Sequence, residues 1–202
     1  GGGFDFGTYT QTVTLTDSYV WTAKGFAVKI GHGAEVRIGG GRFEGVTPRS
    51  GIGVWATGGN GGIHLTSTDI GTWNIGFLAN QSTPSAALPF GSNREIFMTH
   101  ATLDSCGTGL RLEDQAYVSI IGMWAASCDF ANVHVTRGCA DCTNTSMYHA
   151  STLVIDGGTI FNGGAMPSSK CTAPPGGAQP AGCTGGHGIL LEAGSLTLSG
   201  AQ

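Results

Sequence analysis

Val28-Lys29-Ile30, Val36-Arg37-Ile38 and Phe43 are followed by Val54-Trp55-Ala56, Ile63-His64-Leu65 and Ile70, the same three bursts with the start moved 26 residues along. Within each burst apolar residues recur at every second position, the period of a strand whose successive side chains point to opposite faces. The bursts are short, separated by Gly, and rich in Thr and β-branched residues, so strands rather than helices are expected throughout. The pattern returns as Phe77-x-Ala79, Ile96-x-Met98 and Leu103, then as Leu110-x-Leu112, Val118-x-Ile120 and Ala125. A fifth copy is Val133-x-Val135, Leu153-x-Ile155 and Ile160, and a sixth begins Ile189-x-Leu191, Leu196-x-Leu198 before the sequence ends at Gln202.

Stacking such copies buries one column of apolar side chains per inward position, which is the logic of a parallel β-solenoid. A β-sandwich also uses short strands, but it does not require the five-residue step that recurs in Ile38/Phe43, Leu65/Ile70, Met98/Leu103, Ile120/Ala125 and Ile155/Ile160. The expected fold is therefore all-β, a solenoid of about six rungs formed by residues 25–202, with residues 1–24 as lead-in strands of the same single domain. Three insertions interrupt the rungs, Asn80 to Asn93, Arg137 to Ser151 and Gly163 to His187, and these read as surface loops where specificity is placed. The unfinished sixth copy leaves a strand edge that proteins normally cover, so the sequence reads as a fragment of a longer helix or of an assembly.

Composition agrees and excludes several classes. Of 202 residues 36 are Gly and 22 are charged, against about 7% Gly and about 25% charged residues in ordinary globular chains, so many tight turns are expected. The net charge of -4, with Lys and Arg scattered singly, offers no footprint for a phosphate backbone, and no nucleic-acid partner is expected. No apolar stretch approaches the roughly 20 residues that span a bilayer, and no membrane partner is expected.

The six cysteines fall into two sets. Cys106 and Cys128 each follow the last apolar position of their copy by three residues, so they are expected to stack on successive rungs as a reduced pair in the core. Cys139, Cys142, Cys171 and Cys183 lie in two insertions as C-x2-C-x28-C-x11-C. The second half lacks the spacing of a zinc ribbon, and loop-closing disulfides are expected, with Zn or free thiols as the alternatives. No cluster of acids offers the oxygen ligands that Ca²⁺ requires, and neither a metal nor a cofactor is expected.

Counting along the repeat places Lys29, Trp55, Leu78, Arg111, His134 and Leu190 at one outward position. An aromatic beside cationic donors suits a sugar, whose apolar face the ring covers while Arg and Lys meet carboxylates or hydroxyls. Lys29, Trp55, Arg111 and His134 are thus the candidate glycan contacts, and packing against sister chains is the competing role for the stripe. For glycoside cleavage two carboxyl groups are needed about 5 to 9.5 Å apart. Glu113 and Asp114 are the candidate catalytic pair, with an Asp114 to Arg137 ion pair as the alternative. Asp69, Asp104, Asp129 and Asp156 occupy unlike positions in the repeat and are not expected to form a constellation.

Trp124-Ala125-Ala126-Ser127-Cys128, Gly157-Gly158-Thr159-Ile160-Phe161-Asn162-Gly163-Gly164 and Gly186-His187-Gly188-Ile189-Leu190-Leu191 give the chain a texture that resembles the pectate-lyase-like superfamily. Within it the likeness is to bacteriophage tailspikes. The resemblance implies a right-handed parallel β-helix, a homotrimer, a location in the virion tail or outside the cell, and a bacterial surface polysaccharide that is bound and in many such proteins cleaved. A structural virion or adhesin module, and a secreted polysaccharide lyase or hydrolase fragment, are the alternatives.

Overall fold

A computed structural model of the chain describes residues 2–7, 10–21, 25–46, 49–57, 62–80, 94–113, 116–136, 151–163 and 186–202. Strands come in sets of three: Phe4–Phe6 (β1), Val13–Thr16 (β2) and Tyr19–Trp21 (β3), then Phe26–Ile30 (β4), Val36–Gly39 (β5) and Arg42–Glu44 (β6). Ile52–Thr57 (β7), Ile63–Thr66 (β8) and Asp69–Gly71 (β9) follow, then Ile75–Asn80 (β10), Arg94–Thr99 (β11) and Thr102–Asp104 (β12). From there the second and third strands of a set merge. Thr108–Leu112 (β13) precedes the long Ala116–Ala126 (β14), and Ala131–Val135 (β15) precedes Thr152–Phe161 (β16). His187–Leu191 (β17) and Ser195–Ser199 (β18) close the described chain, which contains no helix among the described residues.

Every pairing is parallel, and every strand pairs with its counterpart in the neighbouring set. One face is the seven-stranded sheet β1-β4-β7-β10-β13-β15-β17. The second face carries β2, β5, β8 and β11, the third carries β3, β6, β9 and β12, and β14 and β16 run through both and join them. The fold is all-β and solenoid-like. Val28, Val54, Phe77, Leu110, Val133 and Ile189 form one vertical file, as counting along the repeat required.

The segment before residue 25 does more than lead in. Phe4 and Phe6 pair with Val28 and Ile30, Val13 and Leu15 with Val36 and Ile38, and Val20 with Phe43. It is a further copy of the repeat, five-residue step included, with Phe4 and Phe6 where the next copy has Val28 and Ile30.

The core runs down the middle of the stack. The inward residues of the three faces, among them Ile38, Phe43, Leu65, Ile70, Phe77, Ile96, Leu103, Leu110 and Val118, are at most 2% exposed. Trp73 is completely buried, and its Nε1 donates to the Phe43 carbonyl at 3.0 Å, so the one polar atom of the ring is satisfied.

The corners explain the glycine content. Between the second and third faces every layer has a left-handed residue at the same place, Asp17, Gly40, Ser67, His100, Gly122, Gly157 and Gly200, all with φ between 47° and 68°, and Gly41 and Gly158 follow two of them with φ of 81° and 98°. Each of the seven follows a residue of one paired file, so the chain turns at the same height in every layer. The corner between the third and first faces has its own left-handed file, Thr72, Ser105, Ser127 and Asn162, with φ between 50° and 61°, and inside the strands of the first face the demand for small residues is steric. A Cβ on Gly53 would lie 2.5 Å from the Gly76 carbonyl oxygen and 2.6 Å from Ile70 Cγ2, and one on Gly76 would lie 2.7 Å from the Gly109 oxygen. Small residues hold that file because neighbouring backbone occupies the space a side chain would need.

Candidate functional site

The first face carries the column expected from the repeat. Asp5, Lys29, Trp55, Leu78, Arg111, His134 and Leu190 are in register on consecutive strands. The column is not an open platform, however. Lys29 Nζ lies 3.5 Å from Asp5 Oδ2 and 5.6 Å from the centre of the Trp55 ring, a cation–π contact that occupies this aromatic. Trp55 Nε1 donates to Asn80 Oδ1 at 2.7 Å. Leu78 and His134 are only 5% and 6% exposed, where the repeat alone placed both at the surface. Alternation fixes which side of the sheet a residue is on, and neighbouring side chains decide whether solvent reaches it.

Three of the expected residues meet at the upper end of this face. Arg111 Nε lies 2.7 Å from Glu113 Oε1, two positions along the same strand direction. One layer on, His134 Nε2 lies 3.5 Å from Glu192 Oε2, and Phe130 packs edge-on against the His134 ring with centroids 5.2 Å apart. Burial pushes the His134 pKa below its ordinary value; Glu192 opposes that, Arg111 adds to it, and Glu113 opposes it again. Asp114, the expected partner of Glu113, lies outside the described residues, as do Arg137 and Cys139, Cys142, Cys171 and Cys183.

Cys106 and Cys128 occupy equivalent positions two residues beyond the paired Asp104 and Ala126. Both are buried free thiols. The hydrogen bond to Cys128, then burial, holds the Cys106 thiol well above its ordinary pKa, so this thiol is a poor nucleophile. Among the described residues no group of three or more His, Cys, Asp or Glu is placed to hold a metal.

The third face differs in kind. Its outward residues form two files, Tyr19, Arg42, Asp69, Thr102, Trp124 and Thr159, and beside it Trp21, Glu44, Gly71, Asp104, Ala126 and Phe161. Large exposed rings stand at both ends: Tyr19 57% and Trp21 62% exposed at one, Trp124 45% and Phe161 52% at the other. Five inter-strand steps separate Trp21 from Phe161, about 24 Å at the usual spacing. The stretch between the rings is polar. Arg42 Nε contacts Glu44 Oε2 at 3.0 Å and Asp69 Oδ2 at 3.5 Å, and Ser105 Oγ donates to Asp104 Oδ1 at 3.1 Å. Burial raises the Asp69 pKa, Arg42 opposes this, and the nearby Asp104 and Glu44 raise it further.

Asp69 and Asp104 thus share a face and feel each other, although their unlike places in the repeat argued against any grouping. They flank the buried last apolar residue of their copies, Ile70 and Leu103, on opposite sides, and so fall in adjacent outward files. The same signal marks the rings: Tyr19 and Trp21 bracket Val20, Trp124 precedes Ala125, and Phe161 follows Ile160. Comparison with protein-family models, with curated proteins and with solved structures finds no match for this chain.

Proposed function

We propose that the chain belongs to a tailspike-type, right-handed parallel β-helix of about six rungs beyond its first turn, and that it engages bacterial surface polysaccharide along its third face. The observation that carries this is the pairing of exposed rings at both ends of one face with a polar floor between them. Aromatic rings cover the apolar faces of sugars, and the Arg42, Glu44, Asp69 and Asp104 side chains meet hydroxyl groups in between. Trp55 and Lys29 on the first face satisfy each other, which favours the third face as the principal contact. The protein acts at the virion tail or outside the cell in this reading, as a homotrimer.

The test is binding of the chain to a panel of purified bacterial polysaccharides. Trp21→Ala and Trp124→Ala are each expected to weaken binding about tenfold, the scale of one lost aromatic contact. Unchanged affinity in both variants removes the third face as the binding surface. Release of reducing ends from the bound polysaccharide tests cleavage, and Glu113→Gln together with Asp114→Asn abolishes it if those residues are the acid and base. Cleavage undiminished in that double variant removes the catalytic assignment.

A second reading has its own support. Tyr117, Ile121, Trp124 and Phe161 are all more than 40% exposed on the joined second and third faces, and large exposed apolar residues of this kind suit packing against sister chains in a structural virion or adhesin module. Sedimentation of the wild-type chain beside Ile121→Lys separates the two readings. Dissociation by the variant with no loss of polysaccharide affinity assigns the patch to assembly.

A further inference from the structure

His134 is the most enclosed titratable group on the first face, and its surroundings assign its two nitrogens different work. The side chain is 8% exposed, while Glu192 beside it is 44% exposed and Arg111 one layer below is 37% exposed. With Nε2 facing the Glu192 carboxylate at 3.5 Å, the proton of the neutral ring belongs on Nε2, and Nδ1 keeps its lone pair. Among the described residues neither ring nitrogen makes a hydrogen bond, but Nε2 has the Glu192 carboxylate in front of it at 3.5 Å, which leaves Nδ1 as the nitrogen to accept. An acceptor buried without a donor is costly, so such an atom marks a place where a donor is supplied from outside.

The neighbours state what kind of donor. Arg111, in register with His134 one layer below, engages Glu113 through Nε, and its guanidinium has further N–H groups to donate. Phe130, edge-on to His134, and Leu190, in register above it, provide apolar walls. Donor, acceptor and apolar wall side by side fit a hydroxyl-bearing ring. The charges exclude an acidic one: Glu113 and Glu192 together outweigh Arg111, and His134 is neutral near pH 7, so the site is net negative and a carboxylate ligand would be repelled.

We infer that His134 and Arg111 form a binding site for a neutral sugar unit, in which His134 Nδ1 accepts a hydrogen bond from a sugar hydroxyl and Arg111 donates to a neighbouring sugar oxygen. Glu192 is a positioning residue, fixing the tautomer that leaves Nδ1 able to accept. His187, edge-on to Phe130 with centroids 6.1 Å apart, and Glu113, paired to Arg111, are the other titratable groups near the imidazole among the described residues. Protonation of His134 turns the acceptor into a donor and closes the site. The site stands apart from the third face and does not depend on it.

The experiment follows the imidazole nitrogens of the whole chain by NMR while glucose, galactose, N-acetylglucosamine or galacturonate is added. The expected result is a ring with its proton on Nε2, shifted by at least one neutral sugar, with galacturonate at least about tenfold weaker. Acidification through the His134 titration removes the response. Glu192→Gln, at a side chain 44% exposed, is expected to mix the tautomers and weaken the neutral sugar severalfold. A proton on Nδ1 in the wild type, no shift with any neutral sugar, or galacturonate binding as well as the others would each overturn the inference. Trp21→Ala and Trp124→Ala leave the His134 response unchanged, so loss of polysaccharide binding in them with this response intact distinguishes the two surfaces.

Discussion

His134 enters the fold as a neutral group, and that has a consequence for stability with a definite sign. Its folded pKa lies below the ordinary value near 6.5, so the folded chain binds fewer protons than the unfolded chain once the pH drops below that value. Stability is fully present above about pH 6.5 and is lost as the pH falls from there toward the depressed folded pKa. Thermal melts between pH 7.5 and 5 are expected to show this decline, and His134→Gln is expected to flatten it; an equal decline in the variant assigns the effect elsewhere. Asp69 has the opposite sign. Its raised pKa means that the folded state favours the protonated carboxyl, so Asp69→Asn is expected to leave the melting temperature at pH 7 unchanged or higher. The glycines give a sharper contrast. Gly53→Ala drives a methyl group into the Gly76 carbonyl and Ile70, a backbone clash without slack, with an expected cost of about 3 kcal/mol in denaturant unfolding. Ser67→Gly relieves a left-handed non-glycine residue at an exposed corner and is expected to stabilise by about 0.5 kcal/mol, the backbone relief being partly offset by unfolded-state entropy.

At the level of strands, the inward files were legible because burial on three faces leaves the same alternation in every copy. The five-residue step between the second and third faces was legible too, since the left-handed corner residue forces the chain to turn at one height. The earliest copy is less legible because a Thr-rich stretch separates Phe4-x-Phe6 from Val13-x-Leu15 and its first burst is aromatic where the next copy has Val28 and Ile30. Trp73 is illegible for another reason. It lies in the corner outside every apolar-x-apolar burst, in the file that holds Cys106 and Cys128 in later layers, and only the packed core shows that one large ring fills there what two thiols fill above. Trp73→Ala would leave a cavity and remove the indole hydrogen bond to the Phe43 carbonyl, with an expected loss of about 4 kcal/mol. The outward faces were only half legible. Strand alternation named Lys29, Trp55, Arg111 and His134 as neighbours, but their mutual contacts, and the enclosure of His134, depend on residues such as Asn80, Phe130 and Glu192 that sit in other files.

For the molecule as a whole, what matters is that each layer touches only the layers directly above and below it. In a stack of this kind stability is close to a sum over layers and their interfaces. Residues 110–132 make up one full circuit of 23 residues, from Leu110 to the position before its counterpart Val133. Excising them joins Gly109 to Val133 and leaves every inward file in phase, so the shortened chain is expected to fold with the same far-ultraviolet circular dichroism per residue and a cooperative melt. An unfolded product would mean that the layers are not interchangeable. The excision also takes away Arg111, Glu113 and Cys128 and sets His134 directly over Leu78, while Tyr19, Trp21 and Phe161 are kept. A protein built by repetition can in this way be edited by subtraction, one storey at a time, with the remaining floors still plumb.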